Sequence, residues 1–90
     1  MMKTFANVWD ALTDHPGEAA VMTARSRLMI AVTKAVEGWN SSPAAAARRL
    51  GITQPRLNDL LKGRIDKFSL DTLLILASKA GLKVEIRIAA

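Results

Sequence analysis

Residues 54–64 read QPRLNDLLKGR, and they crowd Gln54, Pro55, Arg56, Asn58, Asp59, Lys62 and Arg64 into one short stretch. These side chains carry the groups that hydrogen-bond to base edges. An amide such as Gln54 or Asn58 pairs bidentately with adenine, a guanidinium with guanine, and a carboxylate accepts from the cytosine amino group. Pro55 offers only an apolar surface, suited to a thymine methyl. At 100° per residue, Leu57, Leu60 and Leu61 take one side of a helix. Pro55, Asn58, Asp59 and Lys62 take the other, with Gln54 and Arg56 flanking its first turn. A carboxylate among phosphates is unfavourable unless paired, so Asp59 is expected to bond Arg56 or Lys62 and orient them. The bland alternative is a polar face that meets only water.

Other chemistry has little to work with. His15 is the single histidine, next to Pro16 at a helix start, and no Ser-His-acid or Cys-His arrangement can be assembled. There is no cysteine, so disulfides and zinc-thiolate sites are excluded. No glycine-rich phosphate loop is present, and the eight acidic residues are scattered. The sequence predicts no enzyme, no catalytic or metal-binding residue and no cofactor.

The elements that would position the polar stretch are set by breakers. Pro16, Pro43 and Pro55 stand where helices can begin, because first-turn N–H groups lack intrahelical partners. Gly38, Gly51, Gly63 and Gly81 each follow a helix-like stretch, where a left-handed residue commonly ends the helix. Together they predict helices over about 16–37, 43–50, 54–62 and 70–80, with Ser41 or Ser42, Thr53 and Ser69 as caps for the last three. On the first, Val21, Ala24, Leu28, Ala31 and Ala35 follow the spacing of one buried face, with Val32 and Val36 beside it. The last is apolar on most sides and should be central. Phe5, Val8, Trp9 and Leu12 suggest a further short amphipathic turn, more plausibly core than a partner-binding segment. Trp39 and Phe68 sit at helix junctions and are read as core, so stacking of single-stranded nucleic acid is the weaker alternative.

The second and third helices, SPAAAARRLGITQPRLNDLLKG, form a helix, a tight turn at Gly51 and another helix. Ala47 is small where they must approach. Ala46, Leu50, Ile52, Leu57 and Leu60 supply the contacts that hold a helix too short to stand alone. The same corner occurs in helical proteins that bind no DNA. Charge adds weight: between Asn40 and Lys67 lie six cations and two anions, nearly all of the chain's net charge of +5. A basic patch is the footprint of a polyanionic partner. Arg48 and Arg49 are as compatible with phosphate contact as with a solvated face.

The tail changes period. Val84, Ile86 and Ile88 alternate with Lys83, Glu85 and Arg87, the pattern of a half-buried strand. A lone strand leaves backbone groups unpaired. A second copy is the simplest partner: an antiparallel seam centred on Ile86 puts Glu85 opposite Arg87 of the other chain. Pairing with MKTF near the N-terminus is the rival. The chain's 90 residues suit one domain, the start has no apolar core of signal-peptide length, and no apolar run approaches a membrane span. The expectation is a cytoplasmic protein with no membrane association.

From about Met22 onward the chain resembles the XRE/Cro-type helix-turn-helix regulators, and within them the small antitoxin-like group related to HigA antitoxins. The likeness rests on RSRLMIAVTKAV, on the run from AAARRLGITQPRLNDLLKG through DKFSLDTL to VEIRI, and on the upstream NVWDAL. It implies an all-α fold: a five-helix, lambda-repressor-like DNA-binding domain with one C-terminal β-strand used in dimerisation. Residues 1–15 would be an N-terminal arm, 16–82 the DNA-binding domain with its helix-turn-helix at about 42–62, and 83–90 the dimerisation strand carrying Val84, Glu85, Ile86, Arg87 and Ile88. By matching position, Gln54, Pro55 and Asp59 fall where the family reads bases, and Asn58 joins them from the helix geometry. Ser42, Arg56, Lys62 and Arg64 fall where phosphate contacts are common. Pro43 departs from the glutamine many relatives carry, so any contact there falls to Ser41, Ser42 or helix-terminal N–H groups. The partners implied are double-stranded DNA with a palindromic operator, a second copy of the chain and a cognate toxin. A sequence-specific repressor of its own operon, doubling as an antitoxin, is the expected function. The alternative is a protein-interaction module, toxin-binding or a dimeric scaffold, without specific DNA binding.

Overall fold

Three serine or threonine hydroxyls mark where the short helices start. The computed structural model describes residues 16–89, and in it Ser42, Thr53 and Ser69 each sit in extended backbone and accept from the N–H three residues on. They open α2 (Pro43–Leu50), α3 (Gln54–Leu61) and α4 (Leu70–Lys79). Such a cap satisfies an amide that the helix cannot, and contributes about 1 kcal/mol. These helices follow α1 (Pro16–Trp39), and a single 3-10 turn, Ile65–Lys67, joins α3 to α4.

Helix ends follow the glycines with one exception. Gly51, Gly63 and Gly81 all have positive φ, at 72°, 74° and 83°. Gly38 instead lies inside α1, which runs on to Trp39 and ends at Asn40, with φ 52°. Asparagine tolerates the left-handed conformation better than most residues. At Gly51 the amide bonds back to Arg48 O, and the next, Ile52, to Ala47 O. The turn between α2 and α3 is thereby closed.

α1 packs along α4, and the α2–α3 corner closes over both. The core is Met29, Val32 and Val36 from α1, Ala46, Ala47 and Leu50 from α2, Leu57 and Leu60 from α3, Phe68 from the connection, and Leu73, Leu76 and Ala77 from α4. Ala46 and Ala47 let α2 approach its neighbours, and Leu50, Leu60 and Phe68 are wholly buried. Burying one such leucine contributes about 1.5–3 kcal/mol. That is how an eight-residue helix, marginal in water, holds its shape.

Three expectations need correction. The buried face of α1 centres on Met29, Val32 and Val36, with Leu28 and Ala35 beside it, while Val21 is exposed. The buried face begins later along α1 than the spacing predicts, because the packed core takes in α1 from Leu28 onward. The described residues contain four α-helices rather than five; the amphipathic turn expected around Phe5, Val8, Trp9 and Leu12, the residue His15 and the MKTF pairing segment lie outside them. The tail is the third. Residues 82–89 form no strand, and Val84, Glu85, Ile86, Arg87 and Ile88 are all exposed, Ile86 at 77% and Ile88 at 91%. Strand pairing needs a second edge, and no other extended segment among the described residues lies alongside to supply one. Arg87 meets Glu85 of its own tail at 3.8 Å.

Candidate nucleic-acid interface

Thr53 and the Leu57–Leu60 anchor fix the rotation of α3, and that rotation sorts its polar residues. Gln54, Pro55 and Asn58 are exposed. They border a shallow groove of about 390 Å³ that also takes in Pro43 at the start of α2, with Leu57 and Leu61 in its floor. The start of α2 and the outer face of α3 thus form one continuous surface. Ser42 immediately precedes Pro43, its hydroxyl oxygen accepting from Ala45 N–H at 3.1 Å. The hydroxyl proton is left to donate outward, as to a phosphate oxygen. Lys62, at the other end of α3, is exposed and caps the helix through its backbone.

The remaining predicted residues have partners that spacing did not reveal. Asp59 is mostly buried and accepts from Arg64 Nη1 at 3.1 Å, and its other oxygen lies 3.8 Å from Lys67 Nζ. The expected partners were Arg56 and Lys62. The chain turns back after Gly63, so residues five and eight positions on reach the carboxylate, whereas Arg56 points elsewhere. Its guanidinium stacks over the ring of the buried Phe68, 4.5 Å from the centroid. This cation–π contact lids the core below the corner. Arg56 therefore bonds the corner to the 3-10 connection, and Asp59 gathers two cations beside α3.

Two further features were not legible in the sequence. Arg25, on α1, donates from Nε to Phe68 O at 2.8 Å and from Nη2 to Ile65 O. It reaches across some forty residues to the connection that carries Arg64 and Lys67. No periodicity or local motif signals such a bond. Arg49 stacks over Trp39 at 3.9 Å, so one of the two α2 arginines lies against the end of α1. Trp39 itself is half-buried against the core, in keeping with the core reading.

A surface of this kind can present amides and an apolar ring to base edges, with cations at one side to neutralise phosphates. Among the described residues there is no group of His, Cys, Asp or Glu that could hold a metal ion, and no helix long and apolar enough to cross a membrane.

Residues 11–89 match the family model of a helix-turn-helix domain. The chain is also similar to a solved structure described as "Putative XRE Family Transcriptional Regulator", at 33% identity and a TM-score of 0.73, over 81% of this chain and 82% of that one. No curated protein matches it.

Proposed function

The chain belongs to the XRE-type helix-turn-helix family, and from that premise we propose that it is a sequence-specific, double-stranded DNA-binding transcriptional regulator that represses its own operon. One observation carries the reading. Gln54, Pro55 and Asn58 are free and exposed on a helix anchored by Leu57 and Leu60, with Lys62, Arg64 and Lys67 close behind it. α3 is then the recognition helix, its N-terminal half entering the major groove.

Within residues 16–82, taken as the DNA-binding unit, roles divide by what each side chain is free to do. Gln54 and Asn58 read bases through their amides, and Pro55 packs on a thymine methyl. Asp59 stands at a base-reading position, but its carboxylate already holds Arg64 and Lys67, so its main contribution is to aim those cations at the backbone. Ser42 and Lys62 contact phosphate directly. Arg56 braces the corner through its stack on Phe68, and the in-plane N–H groups of its guanidinium can meet phosphate.

We also propose that the regulator acts as a homodimer on a palindromic operator, joined through the tail. The exposed Ile86 and Ile88 support this, since paired tails would remove both from water. The likeness of QPRLNDLLKG and DKFSLDTL to HigA-type sequences supports an antitoxin role with a cognate toxin as protein partner; a toxin that copurifies at equal stoichiometry is its test.

The test of the main reading is fluorescence anisotropy with two labelled duplexes, one from upstream of the chain's own coding sequence and one scrambled, over a range of salt concentrations. Tight binding to the first alone, weakening as salt rises, is expected. Equal and weak binding to both would leave a basic surface that reads no sequence, and would favour the interaction-module alternative.

A further inference from the structure

We infer that Arg25, on the helix that leads into the corner, is a positioning residue for DNA binding: it fixes the segment after the recognition helix so that Arg64 and Lys67 stand beside α3 as one phosphate clamp. The inference rests on the DNA-binding reading and adds to it a residue outside the helix-turn-helix.

The backbone of the connection Gly63–Phe68 bonds mostly to itself. These bonds are local ones, from Lys67 N–H to Arg64 O and from Phe68 N–H to Ile65 O, with Arg64 N–H bonding back to Asp59 O. Such bonds close the 3-10 turn without fixing where the turn lies against the rest of the fold. Side chains do that: Arg56 stacks on Phe68, Asp59 holds Arg64 and Lys67, Ile65 packs partly against the core, and Phe68 and Arg25 hold the ends of the turn. Phe68 is wholly buried and anchors the far end. Arg25 bonds the carbonyls of Ile65, the first residue of the turn, and Phe68, the residue just after it. Ile65 O thus accepts twice, from Phe68 N–H and from Arg25, and uses both lone pairs. A planar guanidinium presents Nε–H and Nη–H in a fixed fork, so one arginine can span two carbonyls; a lysine ammonium on its flexible stem has no such fork.

What this holds in place is charge. Arg64 and Lys67 sit immediately before Ile65 and Phe68, the two residues whose carbonyls Arg25 grips, and both converge on Asp59. Arg25 is half-buried, and the hydrogen bonds it makes go to the connection. Its effect on DNA then passes through Arg64 and Lys67.

The experiment is a mutant cycle on the full chain, using the same two labelled duplexes across salt concentrations, with thermal melting of every variant. Arg25→Gln is expected to stay folded well above the assay temperature. It should flatten the dependence of log K on log salt by about one phosphate contact, close to 0.9 in slope, on both duplexes. In an Arg64→Ala/Lys67→Ala background, Arg25→Gln should change the slope no further, because its route to the phosphates is gone. Arg25→Lys keeps the charge without the fork, is the fallback if the glutamine variant does not fold, and should flatten the slope as well. An unchanged slope in folded Arg25→Gln or Arg25→Lys protein would overturn the inference while leaving the DNA-binding reading intact, as would the same loss of slope with and without Arg64 and Lys67. Absence of salt-dependent binding by the unmodified protein to either duplex would overturn both.

Discussion

The α2–α3 corner and the C-terminal tail carry equally clear apolar patterns and end in opposite states. In the corner, Ala46, Ala47, Leu50, Leu57 and Leu60 are all 3% exposed or less. In the tail, Val84, Ile86 and Ile88 alternate as regularly and lie in water. The difference lies in the partner. A helix satisfies its own backbone and needs only an apolar surface to lie on, which α1 and α4 supply. A strand needs another strand for its backbone before its side chains can be buried. Periodicity says which face would be buried, and not whether the same chain holds the surface that buries it.

The contrast can be broken or sharpened by substitution. The largest effect is expected at the centre of the corner, where Leu60→Ala should cost about 2–5 kcal/mol in denaturant unfolding and abolish DNA binding through loss of fold. Gln54→Ala, on the exposed side of the same corner, should leave the melting temperature nearly unchanged. It should narrow the preference for the specific over the scrambled duplex by about 1–3 kcal/mol, measured by anisotropy. Thr53→Ala removes the hydroxyl that accepts from Arg56 N–H, and should lower stability by about 1 kcal/mol. The smallest effect on unfolding belongs to the tail. Ile86→Ser should shift the stability of dilute, monomeric protein by no more than about 0.5 kcal/mol, while sedimentation at higher concentration shows loss of the dimer. Should Ile86→Ser destabilise dilute protein as Leu60→Ala does, the tail is part of the folded core and the contrast collapses.

The candidate interface divides in the same way. Gln54, Pro55 and Asn58 were legible because their exposure follows from the rotation of one helix, and Leu57 and Leu60 set that rotation. Asp59 and Arg56 were not, because their partners are chosen by the path of the chain beyond Gly63. Asp59 turns to Arg64 and Lys67, and Arg56 lies over Phe68. Arg25 could not be placed at all from its neighbours in sequence, since both carbonyls it bonds lie on the far side of the corner.

By itself the sequence determined the short helices, their caps at Thr53, Ser69 and one of Ser41 and Ser42, the left-handed turns at Gly51, Gly63 and Gly81, and the spacing that puts Leu57 and Leu60 on one side of α3. Each of these depends on interactions within about four residues, so local chemistry suffices. Tertiary structure alone decided which turns of α1 are buried, which cations Asp59 holds, that Arg56 braces the core, and that Arg25 grips the connection. A charged side chain chooses its partner by distance in space, and that distance exists only once the helices have packed.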